Sequence, residues 1–372
     1  MARAFDAVVV GGGFAGAATA YHLTRRGLKK VLLVEREEQP GLHASGRNAS
    51  LAFQGLSDET EEELALEGRA FIADPPPGFC DAPLLRPCGS LLLWHTGDAS
   101  SKRSKVPTTE LSRTEALKRV PILADAPFAR AVWTPSDGVI DIRALLHGFL
   151  HAAKSEGAEI LCGAVLTGVE TRGGGITAAV TSEGRFETSL LVNAAGAWAG
   201  VVGQLAGVGA RTLQPRRRHM YRARPPVPID PSWPFVWDGD IDVYFRPDAG
   251  ELLMSPCDAT THGAEDPQVD SRVEQTLFDK LRRAFPALAG ATLTTRWACL
   301  RTFSADERFL IGRDPDLEGL VWVAGLGGHG VTTSPAVGRL GAAVCFGERP
   351  SEIAPFLPER LRAAEERREV HV

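Results

Sequence analysis

The chain is poor in features that would point away from an ordinary soluble enzyme. Six cysteines in 372 residues, at 80, 88, 162, 257, 299 and 345, form no CxxC pair. That spacing argues against a metal site or a disulfide framework and leaves the thiols reduced. Cys162 and Cys345 lie in apolar surroundings and read as small core residues. Net charge is only -5, too weak a field to recruit nucleic acid or an acidic membrane. No stretch approaches the roughly 18 uncharged apolar residues of a transmembrane segment. Met1-Ala2-Arg3-Ala4-Phe5 leads at once into a strand-forming run, which leaves no room for a signal peptide. A cytoplasmic location is expected, with peripheral membrane contact still open. Tyrosine is scarce, at three residues, so Tyr244 on a strand attracts notice, although packing is the commoner fate of a tyrosine.

What is present begins at residue 6. Length suits two domains, and 44% hydrophobic content is normal for a globular chain. Asp6-Ala7-Val8-Val9-Val10 has the β-branched composition of a buried parallel strand and runs into Gly11-Gly12-Gly13-Phe14-Ala15-Gly16. Good helix formers follow from Ala15, and Gly27 is placed to stop them. A second apolar strand, Lys30 to Val34, ends in Glu35. Strand, GxGxxG, helix, strand and acid in this order are the dinucleotide fingerprint. Gly11 permits the tight turn, Gly13 lets the backbone approach a pyrophosphate, and Gly16 lets helix and strand pack closely. The helix N-terminus offers free N–H groups to an anion. Glu35 can accept from both hydroxyls of an adenosine ribose, which argues against NADP and leaves NAD and FAD open.

Further along, a polar, glycine-punctuated loop, Leu42 to Ser50, follows the ribose-binding strand on the ligand side of the sheet. Residues 58–72 read as a helix whose acidic first turn is a solvated face. Strands are expected within Leu84 to Trp94, with Leu91-Leu92-Leu93 their buried part, and helices over 111–120, 141–157 and 273–285. The polar stretch 96–105 reads as a surface loop and 363–368 as a charged helical tail. Strands recur at 158–161 and 164–169, in a meander over 174–186, and in Leu190 to Trp198. Strand alternation sends Arg216 and Arg218 to one face and Arg217 to the other. Val243 to Ser255 reads as a hairpin, Thr294 to Thr302 as a strand carrying Arg301, and Leu320 to Ala336 as strand, glycine turn and a helix with exposed N-terminal amides.

The fingerprint followed by Ser45-Gly46-Arg47-Asn48 resembles the D-amino acid oxidase and glycine/sarcosine oxidase (DAO) family of FAD enzymes, and the likeness covers nearly the whole chain. The resemblance implies an α/β fold: a Rossmann-like FAD-binding domain with a glutathione-reductase-type parallel sheet (1–83, 139–212 and 302–372). Interleaved with it is an α+β substrate domain on a mostly antiparallel sheet (84–138 and 213–301). It implies noncovalent FAD held by Gly11, Gly13, Phe14, Ala15, Gly16, Glu35 and Arg36, and by the flavin loop Ser45, Arg47, Asn48 and Ala49. Val165 would touch the adenine, and Ala195 and Gly196 would bring backbone near the cofactor. Gly328, Gly330, Val331 and Thr332 would lie beneath the pyrimidine side of the flavin, where a helix end stabilises negative charge.

Within the family the pattern is similar to the bacterial D-arginine dehydrogenases, in Pro76 to Cys80, Leu213 to Arg218, Tyr244 to Gly250 and Leu300 to Phe303. Carried over, Arg218 and Arg301 would hold a substrate carboxylate bidentately, Tyr244 would hydrogen-bond to it, and His329 would be the titrating group near the reaction. The chain departs at Gly89-Ser90, where those enzymes carry an acid, and at Leu51, Leu56 and His329, where they carry histidine or tyrosine. A more apolar pocket is expected, with D-arginine a poor substrate. The implied reaction oxidises the amine of a small, neutral or apolar D-amino acid to an imine. The electron acceptor would be oxygen, a quinone or another redox partner. Rival readings are a secondary amine or a 2-hydroxy acid as substrate, an NAD-dependent dehydrogenase, and a noncatalytic flavoprotein.

Overall fold

The computed structural model describes residues 3–96 and 104–361. The tail expected over 363–368 and most of the loop expected over 96–105 lie outside the described residues. A six-stranded sheet runs in the spatial order Glu159–Leu161, Val31–Val34, Ala7–Val10, Leu191–Asn193, Leu320–Ala324, Leu310–Arg313. All neighbours are parallel except the last pair. The strand Ala7–Val10 shows why its sequence carries no polar residue. Ala7 and Val9 join the core under the helices Phe14–Arg25, Ile142–Ser155 and Ser334–Cys345. Val8 and Val10 join a second core under a four-stranded sheet that contains the meander Leu166–Arg172, Gly175–Thr181 and Gly184–Glu187. A strand covered on both faces must be apolar at every position.

The second large sheet has nine strands. Its backbone is the antiparallel pair Gln214–Arg224 and Thr292–Phe303, in one register from Gln214 opposite Phe303 to Arg222 opposite Thr295, with a bulge before Ala223 opposite Leu293. One face of this sheet is a closed core of Tyr221, Phe245, Val236, Leu91 and Leu93, with Leu277 and Leu281 of the helix Arg272–Ala284 packed into it. The alternation leaves Leu92 half-buried, so only its two neighbours form the expected buried part. The other face carries a smaller buried cluster of Met220, Phe235, Tyr244, Leu253 and Cys257, with Phe53, Trp237 and Trp297 packed against it. A small sheet of Leu51–Ala52, Gly138–Ile140 and Leu85–Arg86 lies between the two large ones in sequence and joins their segments.

Three expectations are corrected here. The acidic first turn of the helix Glu59–Ala73 is not a solvated face, because Glu61 and Glu62 are both buried. Glu61 accepts the Phe309 amide at 3.2 Å, and Glu62 accepts from Ser104 Oγ at 2.6 Å and the Lys105 amide at 2.8 Å. The carboxylates satisfy backbone donors that packing would otherwise strand. Asp58, read as the first helical residue, is instead the N-terminal cap, accepting from the Thr60 and Glu61 amides. Cys345 is a core residue, but Cys162 is only half-buried, since it follows the edge strand Glu159–Leu161 into a turn. No helix among the described residues is long and apolar enough to cross a membrane.

Candidate active site

A long cleft opens where the strand ends of the parallel sheet meet the antiparallel sheet, with about 1610 Å³ of empty space counted to its mouth. It gathers Gly11, Gly13, Phe14 and Ala15, then Glu35 and Arg36, then Ser45, Arg47 and Asn48. Val165, Ala195, Gly196, Gly328, Gly330, Val331 and Arg301 complete the set of expected residues that line it. Gly16, Ala49 and Thr332 lie behind this lining. A Cβ on Gly16 would stand 1.9 Å from the Gly11 carbonyl oxygen, so its role is the close packing of helix on strand. The Thr332 hydroxyl donates to the Leu51 carbonyl at 2.9 Å and accepts the Phe53 amide at 3.3 Å, which ties the flavin loop's exit to the last turn.

At the dinucleotide end, Gly11 has φ +109 and its missing Cβ would meet the Ala194 carbonyl at 2.5 Å. Only glycine serves there. Glu35 accepts the Gly12 amide at 2.7 Å and the Glu37 amide at 2.9 Å. A carboxylate has about four acceptor positions, so this one is fixed in direction with capacity left for hydroxyls. The Phe14 amide, at the helix start, donates to Ser45 Oγ at 3.0 Å. Four large apolar side chains of the described residues stand exposed, and three of them, Leu42, Val165 and Val201, line this cleft. The fourth, Phe346, lies under the Arg26 guanidinium at 4.5 Å. Trp198 is held between Arg36, 4.6 Å from its ring, and His43, with ring centroids 4.5 Å apart. Apolar walls, a backbone cradle and a fixed acid suit a ligand with flat rings, a pyrophosphate and a ribose, which is the composition of FAD.

The sequence pattern missed Leu42, His43, Trp198 and Val201. Trp198 had a usable signal in its place two residues after Gly196, and Leu42 and His43 in the loop read as lying on the ligand side; Val201 had none. The first turn of the helix Ser334–Cys345 is also buried, not open as expected: Ser334, Pro335 and Ala336 are covered. Ser334 Oγ turns back to the Val331 carbonyl at 2.9 Å.

At the end nearer the antiparallel sheet, the Arg301 guanidinium rests on Gly328, where a Cβ would come within 2.9 Å of Cζ. Arg301 has no hydrogen-bond or ion-pair partner among the described residues and faces the cleft. Arg218 is buried and spends only Nε, donating to the Asp258 carbonyl at 2.6 Å. That carbonyl is itself held. The Asp258 carboxylate takes the His219 amide at 2.8 Å and His219 Nδ1 at 2.7 Å, while His219 Nε2 accepts the Asp270 amide at 2.9 Å. An amide can only donate, so Nε2 is the unprotonated nitrogen of that ring. Tyr244 is buried with its hydroxyl on Met220 Sδ at 3.3 Å, and burial pushes it up to about 12, so it stays a donor. Burial also pushes the Cys257 thiol up to about 12. His329 is half-buried by surface area yet densely surrounded. That crowding, with the Arg301 and Arg218 charges, holds its imidazole down to about 4. The expected titrating group is therefore neutral near pH 7.

The antiparallel sheet also holds the flavin loop. Trp297 Nε1 donates to the Arg47 carbonyl at 3.1 Å, and Arg246 Nε to the Ala49 carbonyl at 2.7 Å. Arg47 pairs with Asp266 at 2.8 Å.

Residues 6–344 match the family model described as FAD dependent oxidoreductase, DAO. The chain is 26% identical over 374 residues to an uncharacterized oxidoreductase of Bacillus subtilis, YurR, covering 94% of this chain and 98% of the relative. It is 26% identical over 377 residues to glycine oxidase of Geobacillus kaustophilus, covering 96% and 97%. Among solved structures it superposes on L-proline dehydrogenase from P. horikoshii with a TM-score of 0.87. That pair covers 98% and 99% of the two chains at 22% identity, a likeness of fold.

Proposed function

The chain belongs to the DAO family of FAD-dependent oxidoreductases, and on that premise we propose that it oxidises the amine of a neutral or apolar D-amino acid to an imine. When bound, FAD would supply the two-electron acceptor for the substrate's α-hydrogen. The observation that carries the reading is the unpaired Arg301 guanidinium at the cleft, with Arg218 and the Tyr244 hydroxyl in the same electrostatic neighbourhood. A guanidinium fork matches a carboxylate bidentately, and the nearby hydroxyl adds a donor. These groups fix which C–H of the substrate faces the cofactor, and orientation of this kind lowers the barrier by several kcal/mol. His329 and Cys257, both neutral, add no competing charge. The substrate must present its neutral amine, and the imine is then hydrolysed in water to a 2-oxo acid and ammonia. The glycine oxidase relative supports an amino acid as the substrate class.

The test is the visible spectrum of the FAD-loaded protein under anaerobic conditions, before and after D-amino acids, L-amino acids, N-methyl amino acids and 2-hydroxy acids. Bleaching by neutral D-amino acids is expected, and readmitted air reports whether oxygen is the acceptor. Arg301→Ala should raise KM sharply and lower kcat/KM with flavin still bound. Wild-type turnover in that variant would sink the assignment. Bleaching only by 2-hydroxy acids or secondary amines would keep the clamp and replace the amine.

A further inference from the structure

Building on the amino-acid reading above, we propose that the substrate's side chain is large and apolar, aromatic or long and branched, and lies against Phe53 and Trp237. The argument is one of register. Residues directly opposite in an antiparallel pair share a face of the sheet. Arg301 is opposite Arg216, Cys299 opposite Arg218, and Trp297 opposite Met220. Tyr244 is opposite Trp237 on one side and Ser255 on the other, and its hydroxyl reaches Met220. Arg218, Arg301, Tyr244 and Trp237 therefore stand on one face, while their chain neighbours Tyr221, Phe245 and Val236 pack into the core beneath.

Across this face the chemistry changes in one direction. The cationic end sits on the strands Gln214–Arg224 and Thr292–Phe303. The far end, on Phe235–Asp238, carries Phe235 and Trp237. Phe53 lies against it from the flavin loop's exit, with ring centroids 6.2 Å from Phe235 and 5.6 Å from Trp237. The sheet order puts Phe235–Asp238 three places from Gln214–Arg224, roughly 14 Å at the usual strand spacing. A substrate held by its carboxylate at the arginines and ending at Cβ stops well short of the aromatic end. Tyr244 stands between the two ends, with its hydroxyl on Met220 and its ring centroid 6.3 Å from Trp237, so a benzyl or indolyl side chain held beside it reaches the aromatic end.

Phe53 and Trp237 are only half-buried, although they touch the buried rings of Phe235 and Tyr244. The Trp237 indole is fixed by its N–H to Asp242 at 3.1 Å, so it offers a rigid wall. The carboxylate at this wall, Asp242, already accepts the Trp237 N–H. Asp137, behind Ser90, is buried and already accepts from Gln54 N and Nε2 and from Ser90 Oγ.

Two measurements test this. In the FAD-loaded enzyme, kcat/KM across glycine, alanine, leucine, phenylalanine, tryptophan and arginine, both hands, should rise from alanine to phenylalanine by at least about tenfold. In Trp237→Ala and Phe53→Ala, the phenylalanine-to-alanine ratio should fall by about the same factor. Preference for glycine, alanine or arginine, or a ratio that survives both substitutions, overturns the proposal. Independently, titration with 3-phenylpropanoate, which has no amine to oxidise, should perturb the bound flavin spectrum at lower concentration than propanoate does. That difference should vanish in Trp237→Ala. Equal binding of the two acids overturns the proposal even if amino acids are turned over. Selective binding without bleaching by any amino acid keeps the apolar wall and rejects the amine chemistry.

Discussion

Asp137→Asn should stabilise the protein at alkaline pH and do little at acid pH. The carboxyl is buried where the small three-stranded sheet meets the antiparallel one, and burial, against the Ser90 and Gln54 hydrogen bonds, pushes it from 3.8 up to about 6. At 1.36 kcal/mol per pH unit, the ionised form costs the folded chain about 3 kcal/mol. A carboxyl whose folded value lies above its unfolded one favours folding while protonated. That contribution is complete below about pH 4 and is lost as pH rises through 6. Asparagine removes the charge and keeps the geometry: its carbonyl can take both Gln54 donors, and its amide can donate to Ser90 Oγ. The gain over wild type should be about 3 kcal/mol at pH 8 and under about 1 kcal/mol at pH 4. For a chain this long that is a Tm rise of about 4 °C at pH 8. Thermal melts of both proteins with saturating FAD, from pH 4 to 8, read it directly. A loss at pH 8, or an equal gain at both ends, would show that the carboxylate charge is not what the fold tolerates at a cost.

Two further outcomes follow from the cleft. Gly328→Ala puts a Cβ within 2.9 Å of the Arg301 guanidinium at a position with φ +105, so it should cost 1 kcal/mol or more of backbone strain and raise KM while FAD remains bound; an unchanged KM would detach Gly328 from the clamp. With His329 held down to about 4, protonating it penalises the fold as pH falls from 6.5 toward 4, and it stays neutral above pH 6. The kcat/KM profiles of wild type and His329→Asn should therefore have the same shape from pH 6 to 8, and an inflection present only in wild type would refute this.

The parts legible in the sequence were those set by local spacing. The dinucleotide turn needed glycine at 11 for its φ of +109 and at 16 for the Gly11 carbonyl close by, both local reasons, whereas the Ala194 carbonyl that also faces Gly11 was not legible. The strand alternation that split Arg216 and Arg218 from Arg217 is the one observed: Arg218 is buried opposite Cys299, while Arg217 pairs with Asp270 at 3.0 Å. What stayed hidden depends on partners far along the chain. The run at residues 61–63 looked solvated because nothing near it announces the Phe309 amide, 248 residues away. Trp198 meets Arg36 and His43 only once the returning strand lies beside the first. The pairing of Phe53 with Trp237 joins two segments that no period connects.

The site's accuracy therefore rests on one strand pair. Gln214–Arg224 and Thr292–Phe303 keep one register from Gln214 to Arg222, with a bulge only beyond it, and bring Arg218 and Cys299 opposite each other. The flavin loop, irregular in itself and carrying Ser50 at φ 59, takes its position from the same sheet through Trp297 and Arg246. Both the groups that would hold the substrate and the groups that hold the cofactor loop thus share one rigid frame. A slip of one residue in that pairing would turn Arg217 toward the cleft and Arg218 toward the core. The closed core of Tyr221 and Phe245 resists such a slip, because it would bring polar and charged side chains into space filled by apolar ones. The apolar face beneath the sheet is thus what fixes the charged face above it.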